Sequence, residues 1–246
     1  MIIISFSLSL IRTNHFKQMS KCDQCIVRQL NSLKSLNKEE LIRISACKTS
    51  KIVKKGEVIF EEGEHLNGVF CISDGICKVS KMSDNGRDQI IRLVNKGDIL
   101  GERSLIGDEI SNLKATAVND MEVCFIPRSE IIKDLQQNTA FSMSVLKDLA
   151  ASLKSADNIT VDMAQKTVKQ RLAEILIGLE EKFGHDVDNI LNIHLSREDI
   201  ANMAGTATES AIRLLSEFKK KGVINLKGKN ITLVDVNGLK KIAQGF

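Results

Sequence analysis

The sequence predicts an α+β chain in three consecutive parts: an all-β domain, a long helix, and a C-terminal helix-turn-helix with a β-hairpin beside it. Three observations carry this. Short β-rich runs separated by turn residues recur from Ile52 to Gly97; Ala140 to Gln165 has neither Gly nor Pro; and Ser196 to Lys221 carries two apolar stripes at helical spacing on either side of Gly205. At 246 residues, 43% hydrophobic and 27% charged, the chain is long enough for two cores and has a globular composition. No segment approaches the ~20 apolar residues a membrane span needs.

Residues 1–31 read as an N-terminal extension. Met1 to Leu10 is apolar, but no basic region precedes it and no small-residue cleavage site follows, so it makes a poor signal peptide, and Met19 is the expected translation start. Six cysteines, two of them as Cys22-x-x-Cys25, fit cytoplasmic thiols or metal ligands better than a secreted disulfide framework. Leu33, Leu36, Leu41 and Ile42 predict a short helix from Ser32 to Arg43, with Asn37 as a cap before Lys38-Glu39-Glu40. The β-rich runs then follow. Ile52-Val53 leads to Lys55-Gly56, Val58-Ile59-Phe60 to Glu62-Gly63, Val69 to Ile72 to Asp74-Gly75, Ile76 to Val79 to Asp84-Asn85-Gly86, and Ile90 to Val94 to Lys96-Gly97-Asp98. Turn signals at such intervals indicate a sandwich or barrel, placed at residues 32–136.

Residues 137–167 form the expected long helix. Leu146, Leu149, Leu153, Ala156, Thr160 and Met163 recur at steps of three and four, the seam of a coiled coil, although a helix lying on its own β domain has the same periodicity. Residues 168–246 make the last domain. Gln170 to Phe183 is amphipathic; Ser196 with Asp199 forms a capping-box-like start; Ile200, Met203 and Ala204 line one helix, and Ala211, Leu214, Leu215 and Phe218 the next. Val223 to Leu226 and Ile231 to Val234 flank Lys227-Gly228-Lys229-Asn230 as a hairpin wing. An ordinary helical hairpin shares part of this pattern. Arg197 to Phe246, however, holds nine Lys and Arg against five Asp and Glu, a surplus equal to the whole net charge of +4. A basic module on an otherwise neutral chain points to a phosphate backbone.

No Ser/His/Asp or Cys/His arrangement with catalytic context appears, and His15, His65, His185 and His194 are scattered singly. An enzyme is not expected.

Lys55-Gly56-Glu57-Val58-Ile59-Phe60, Ile72-Ser73-Asp74-Gly75, Lys96-Gly97-Asp98-Ile99-Leu100-Gly101-Glu102 and the run from Ser196 through Asn230-Ile231-Thr232, in that order, resemble the CRP/FNR family of bacterial transcription regulators. The resemblance covers nearly everything after Met19. It implies a cyclic-nucleotide-binding-like β-roll, a dimerisation helix and a winged helix-turn-helix, in a cytoplasmic homodimer that binds a palindromic promoter site on double-stranded DNA and works with RNA polymerase. The alternative is a non-catalytic small-ligand or cyclic-nucleotide-binding module whose helix-turn-helix has lost specific DNA binding.

The family's base-reading positions fall on Glu209 and Arg213, with Thr208 and Ile212 at the neighbouring variable positions; Lys227 and Lys229 of the wing are expected on phosphates. Glu209 also completes Thr206-x-x-Glu209, a capping-box pattern, and the family's usual Ser or Thr cap falls on Ala207. In the cyclic-AMP-binding members a Glu and an Arg-Ser pair hold the nucleotide. Here the Glu matches Glu102, but the pair falls on Ser111-Asn112, which removes the charged phosphate contact, and cyclic AMP is not the expected effector. Gly101-Glu102 then reads mainly as a turn, with Arg103 or Lys114 as substitute cations outside the motif. The oxygen-sensing members hold an iron–sulfur cluster on four cysteines, of which Cys22, Cys25 and Cys124 match and the fourth falls on Asn31. A labile cluster, a different fourth ligand, a thiol switch or no sensing role all remain open. Cys47 is the nearest spare thiol in sequence, and Cys71 and Cys77 read as buried small hydrophobes. At the dimer-helix position where the oxygen-sensing members carry an acidic residue that opposes pairing, this chain has Ala156, so dimerisation without a signal is expected.

Overall fold

The structure is a computed structural model that describes residues 22–84 and 86–246; the expected start at Met19 falls outside them. Two 3-10 turns carry Cys22 to Leu30, and a third, Ser32–Ser35, leads to α1 (Lys38–Cys47). Asn37 caps α1 in a full capping box with Glu40, so the helix opens at the residue after the cap instead of at Ser32. Leu33 and Leu36, whose spacing predicted helix, lie in the turn before it and are buried.

Ten strands follow in all among the described residues. β1 (Thr49–Val53), β8 (Met121–Pro127), β3 (Gly68–Asp74) and β6 (Ile99–Leu100) form one antiparallel sheet in that order, and β2 (Val58–Phe60), β7 (Lys114–Ala117), β4 (Ile76–Met82) and β5 (Asp88–Asn95) form the second. The two sheets face each other across Phe60, Ile72, Cys77, Val79, Leu100 and Val123. Gly75, at φ 91°, turns β3 into β4 against Met121, where any Cβ would meet the Met121 Cβ at 2.3 Å. Side chains alternate along β3, so Ile72 enters the roll while Val69 and Cys71 face the other way. There they pack with the N-terminal turns, α1, α3 (Arg128–Gln137) and the start of α4 (Thr139–Gln165). α2 (Glu102–Gly107) opens after Gly101.

The last part holds α5 (Val168–Phe183), α6 (Arg197–Ala204), α7 (Thr208–Lys220), the hairpin β9 (Ile224–Lys227) and β10 (Asn230–Leu233), and α8 (Val236–Ala243). Its core, centred on Leu172, Leu176, Ile200, Leu215, Phe218 and Leu239, takes in Ile76, Ile90 and Leu93 from the roll. The terminal unit is therefore seated on β4 and β5 of its own chain. No helix among the described residues is long and apolar enough to cross a membrane.

Candidate nucleic-acid interface and sensor cavities

The helix-turn-helix is built by local rules. The Ser196 side chain accepts from Asp199 N, and the Asp199 carboxylate accepts from Ser196 N, which closes the start of α6. Gly205 ends it in the left-handed region at φ 62°, ψ 48°, and the chain turns into α7 three residues later. Buried Ala201, Ala204 and Ala211 let the two helices approach at their crossing. Ala207 occupies the cap position of α7 without a side-chain bond, so Thr206 and Glu209 do not form a capping box.

Ala211, Leu215 and Phe218 bury one face of α7, which leaves Glu209, Ile212, Arg213 and Ser216 exposed on the other, with Thr208 half-buried at its start. Neither Glu209 nor Arg213 has a hydrogen bond or ion pair among the described residues. One turn apart, a free carboxylate and a free guanidinium thus point outward from the same helix. Lys227 and Lys229 are exposed at the wing, on either side of Gly228. Arg197, the first residue of α6, donates from Nη2 to Gly228 O at 2.7 Å and ties the wing to the helix pair. Arg171, which sequence reasoning passed over, binds Ala204 O at 3.0 Å and Lys166 O at 2.6 Å. Its guanidinium therefore joins the last carbonyls of α6 to the end of α4, where a cation also suits the helix dipole.

α4 runs for 27 residues, yet its buried residues are Phe141 and Val145, both in the first two turns. Beyond them Leu146, Leu153, Ala156 and Thr160 are exposed, Leu146 at 57% and Leu153 at 66%. Leu149 instead packs on the core beside the N-terminal turns, and Met163 turns toward Gly205. The six-residue seam is thus split: four positions face outward and two serve their own chain.

A family model described as a cyclic nucleotide-binding domain matches residues 50–138, and one described as a Crp-like helix-turn-helix domain matches residues 170–242. The anaerobic regulatory protein of Haemophilus influenzae is 29% identical over 222 residues, which cover 89% of this chain and 86% of that protein. The fumarate and nitrate reduction regulatory protein of Escherichia coli K12 is 26% identical over 226 residues, 90% of each chain. The chain belongs to the CRP/FNR family of transcription regulators. Solved structures share the fold of this CRP/FNR regulator: FixK2 of Bradyrhizobium japonicum at TM-score 0.72 and 24% identity, over 79% of this chain and 96% of that one, and a CRP/FNR family regulator of Eubacterium rectale at 0.72 and 20%, over 86% and 97%.

In this CRP/FNR regulator Cys22, Cys25 and Cys124 line one small cavity of about 20 Å³, and Cys71 joins them. Cys71 is buried in a strand, as read, and its place beside the other three thiols is an addition to that reading. It stands directly across from Cys124 in the β3–β8 register, with both side chains on the face away from the roll interior. Cys77 does lie in the apolar roll interior, and Cys47 is exposed at the end of α1. Burial pushes the Cys71 thiol up to about 12, with the neighbouring Cys124, Cys25 and Cys22 adding to the rise. Cys22 is also raised by burial, against the pull of the Lys48 charge. Among the described residues no three His, Cys, Asp or Glu gather as a single metal ion would require. Four thiols facing one space without closing on a point are the donor set of an iron–sulfur cluster, so the residues fit that group.

Inside the roll, Glu102 and Ser111 line a second cavity of about 20 Å³, with Asn112, exposed to solvent, at its rim. Ser111 Oγ is spent on Leu113 O at 2.7 Å, and Lys114 pairs with Glu61 at 3.2 Å. Two arginines line it: Arg92, from β5, 3.5 Å from Glu102 and absent from the motif-based reading, and Arg103, one of the two substitute cations the sequence offered. Burial raises the Glu102 carboxyl, opposed by the charge of Arg92. Small-molecule sites run to roughly 300 Å³ or more. A larger cavity of about 290 Å³, lined by Arg92, Glu102, Asn31 and Asp148, opens between the roll and α4.

Proposed function

We propose that this regulator binds a palindromic promoter site as a homodimer and couples that binding to the state of its cysteine cavity. The observation that carries the reading is the unpartnered outward face of α7. Arg213 has the geometry for bidentate contact with guanine, and Glu209 for accepting from a cytosine amino group, in one major groove. Thr208 and Ile212 border them and suit a sugar or a thymine methyl. Lys227 and Lys229 supply phosphate contacts from the wing. Two copies joined along Leu146, Leu153, Ala156 and Thr160 present two such helices to half-sites about 34 Å apart. In the cytoplasm the bound dimer works on RNA polymerase.

The sensor in this reading is the cysteine cavity, not a nucleotide pocket. Four thiols share the first, whereas in the roll cavity Ser111 is committed to Leu113 O and Arg92 is already paired with Glu102. Selection of bound fragments from random-sequence DNA tests the proposal: a two-fold symmetric site with G·C at one fixed position per half is expected. Recovery of fragments without a shared sequence would overturn it and leave a ligand-binding module.

A further inference from the structure

The geometry points to Cys71 as the fourth thiolate of an iron–sulfur cluster held with Cys22, Cys25 and Cys124, and to Asn31 as a hydrogen-bond donor to the Cys71 sulfur. This rests on the reading of the cysteine cavity as a cluster site. Position 31, where the sequence pattern places the fourth ligand, is unsuited to that role. The Asn31 side chain is committed: Oδ1 accepts from Leu33 N at 3.0 Å, and Nδ2 donates to Gly97 O at 2.9 Å and to Cys71 Sγ at 3.5 Å. It lines the large cavity beside α4 and not the one the cysteines share. A carboxamide is also a poor substitute for a thiolate on iron, which is soft-ligand chemistry.

Cys71 has what Asn31 lacks. Antiparallel pairing sets it opposite Cys124, and residues directly opposite have Cβ atoms about 5 Å apart. These two sulfurs are fixed by the sheet, while Cys22 and Cys25 enter from short 3-10 turns held by single 3.3 Å backbone bonds. The strand sulfurs also have polar donors around them. Lys48 Nζ lies 3.9 Å from Cys124 Sγ and Ser50 Oγ 3.6 Å from it, matching the Asn31 contact to Cys71. An apolar thiol needs no such donors, whereas a metal-bound thiolate is stabilised and tuned by them. On loading, each of the four thiols gives its proton to solvent and its sulfur bonds one iron.

The test is anaerobic reconstitution of the full chain with ferric iron, sulfide and dithiothreitol, in which the added thiol reduces part of the iron, followed by iron and sulfide analysis and visible absorption, for wild type, Cys71→Ser, Cys77→Ser and Asn31→Ala. Wild type and Cys77→Ser are expected to take up iron and sulfide with a visible band, and Cys71→Ser to retain at least tenfold less. Asn31→Ala should stay loaded but show a lower midpoint potential and faster iron loss in air, because a donor to the ligand sulfur is gone. A Cys71→Ser protein as fully loaded as wild type would overturn the assignment and leave the cluster reading standing. Wild type that takes up no iron would overturn both. If Cys71→Ser fails to fold by circular dichroism, Asn31→Ala decides alone: an unchanged potential removes Cys71 from the ligand set.

Discussion

Lys78 of the roll and Asp199 of the helix-turn-helix meet across the junction between the two parts, with Nζ 2.5 Å from Oδ1. The same carboxylate closes the capping box with Ser196, so one side chain both starts α6 and anchors it to β4. Burial opposes charge on Asp199, yet the hydrogen bonds from Lys78 and Ser196 outweigh it and hold the carboxyl below its ordinary range. Lys182 Nζ on Leu93 O at 2.6 Å and Gln89 on Met203 O add polar contacts between the parts.

Replacing Lys78 by Met should cost about 1–3 kcal/mol, because it removes a charged partner from a partly buried carboxylate. A depressed folded-state value means the Asp199 contribution is present above its unfolded value near 3.9 and is lost as pH falls through the folded one. The gap between Lys78→Met and wild type in urea melts should therefore hold at neutral pH and shrink in acid. A gap that is absent at pH 7 would contradict the anchor.

Arg213→Ala should weaken binding to the selected site by about 1–3 kcal/mol and relax preference at one G·C pair. Lys227→Ala and Lys229→Ala should instead weaken all sequences alike and reduce the salt slope by about 1 each. Titrations on specific and random duplexes at several salt concentrations separate the two behaviours, and equal losses on both duplexes for Arg213→Ala would reject its role.

Leu153→Glu places a charge in the proposed seam and should yield a monomer in sedimentation at micromolar concentration. Ala156→Asp should weaken the dimer by setting like charges close together across the pair. Unchanged sedimentation of both would exclude this helix as the interface.

Arg43→Ala should cost about 3 kcal/mol, because it strands Asp134, only 1% exposed and paired with Arg43. Burial already raises the Asp134 carboxyl against the pull of Arg43. With the folded value raised, the penalty falls on the ionised form, so the deficit relative to wild type should be largest at neutral pH and recover as pH drops toward 4. Calorimetric melts at several pH values check this.

Gly205→Ala should lower stability by about 1–2 kcal/mol, the cost of a left-handed conformation for a residue with a Cβ. The added atom would also sit 3.2 Å from Met163 Sδ. An unchanged melting temperature would show that the turn can re-form without its glycine.

What could be read from the sequence was what depends on near neighbours. Asn37, Ser196 and Gly205 act on backbone groups within a few positions, and each stands in its expected role. The strand β7 has too few apolar residues to announce itself, since Lys114 and Thr116 interrupt it, and α3 follows Pro127 without a turn signal. The pairing of Cys71 with Cys124 and of Arg92 with Glu102 went unread for one reason: each partner comes through strand pairing or packing between distant segments. No local pattern encodes that register. The split of the α4 stripe has the same origin, because Leu149 and Met163 meet surfaces supplied by other parts of the chain.

The bare stretch of α4 ties the regulator to its own abundance. In the proposed dimer a second copy covers Leu146 and Leu153, which stand in water on one copy, and association stabilises the folded state in proportion to the logarithm of concentration. The melting temperature of the chain then rises with each increase in protein level. In that dimer the number of copies in the cell becomes an input to promoter occupancy.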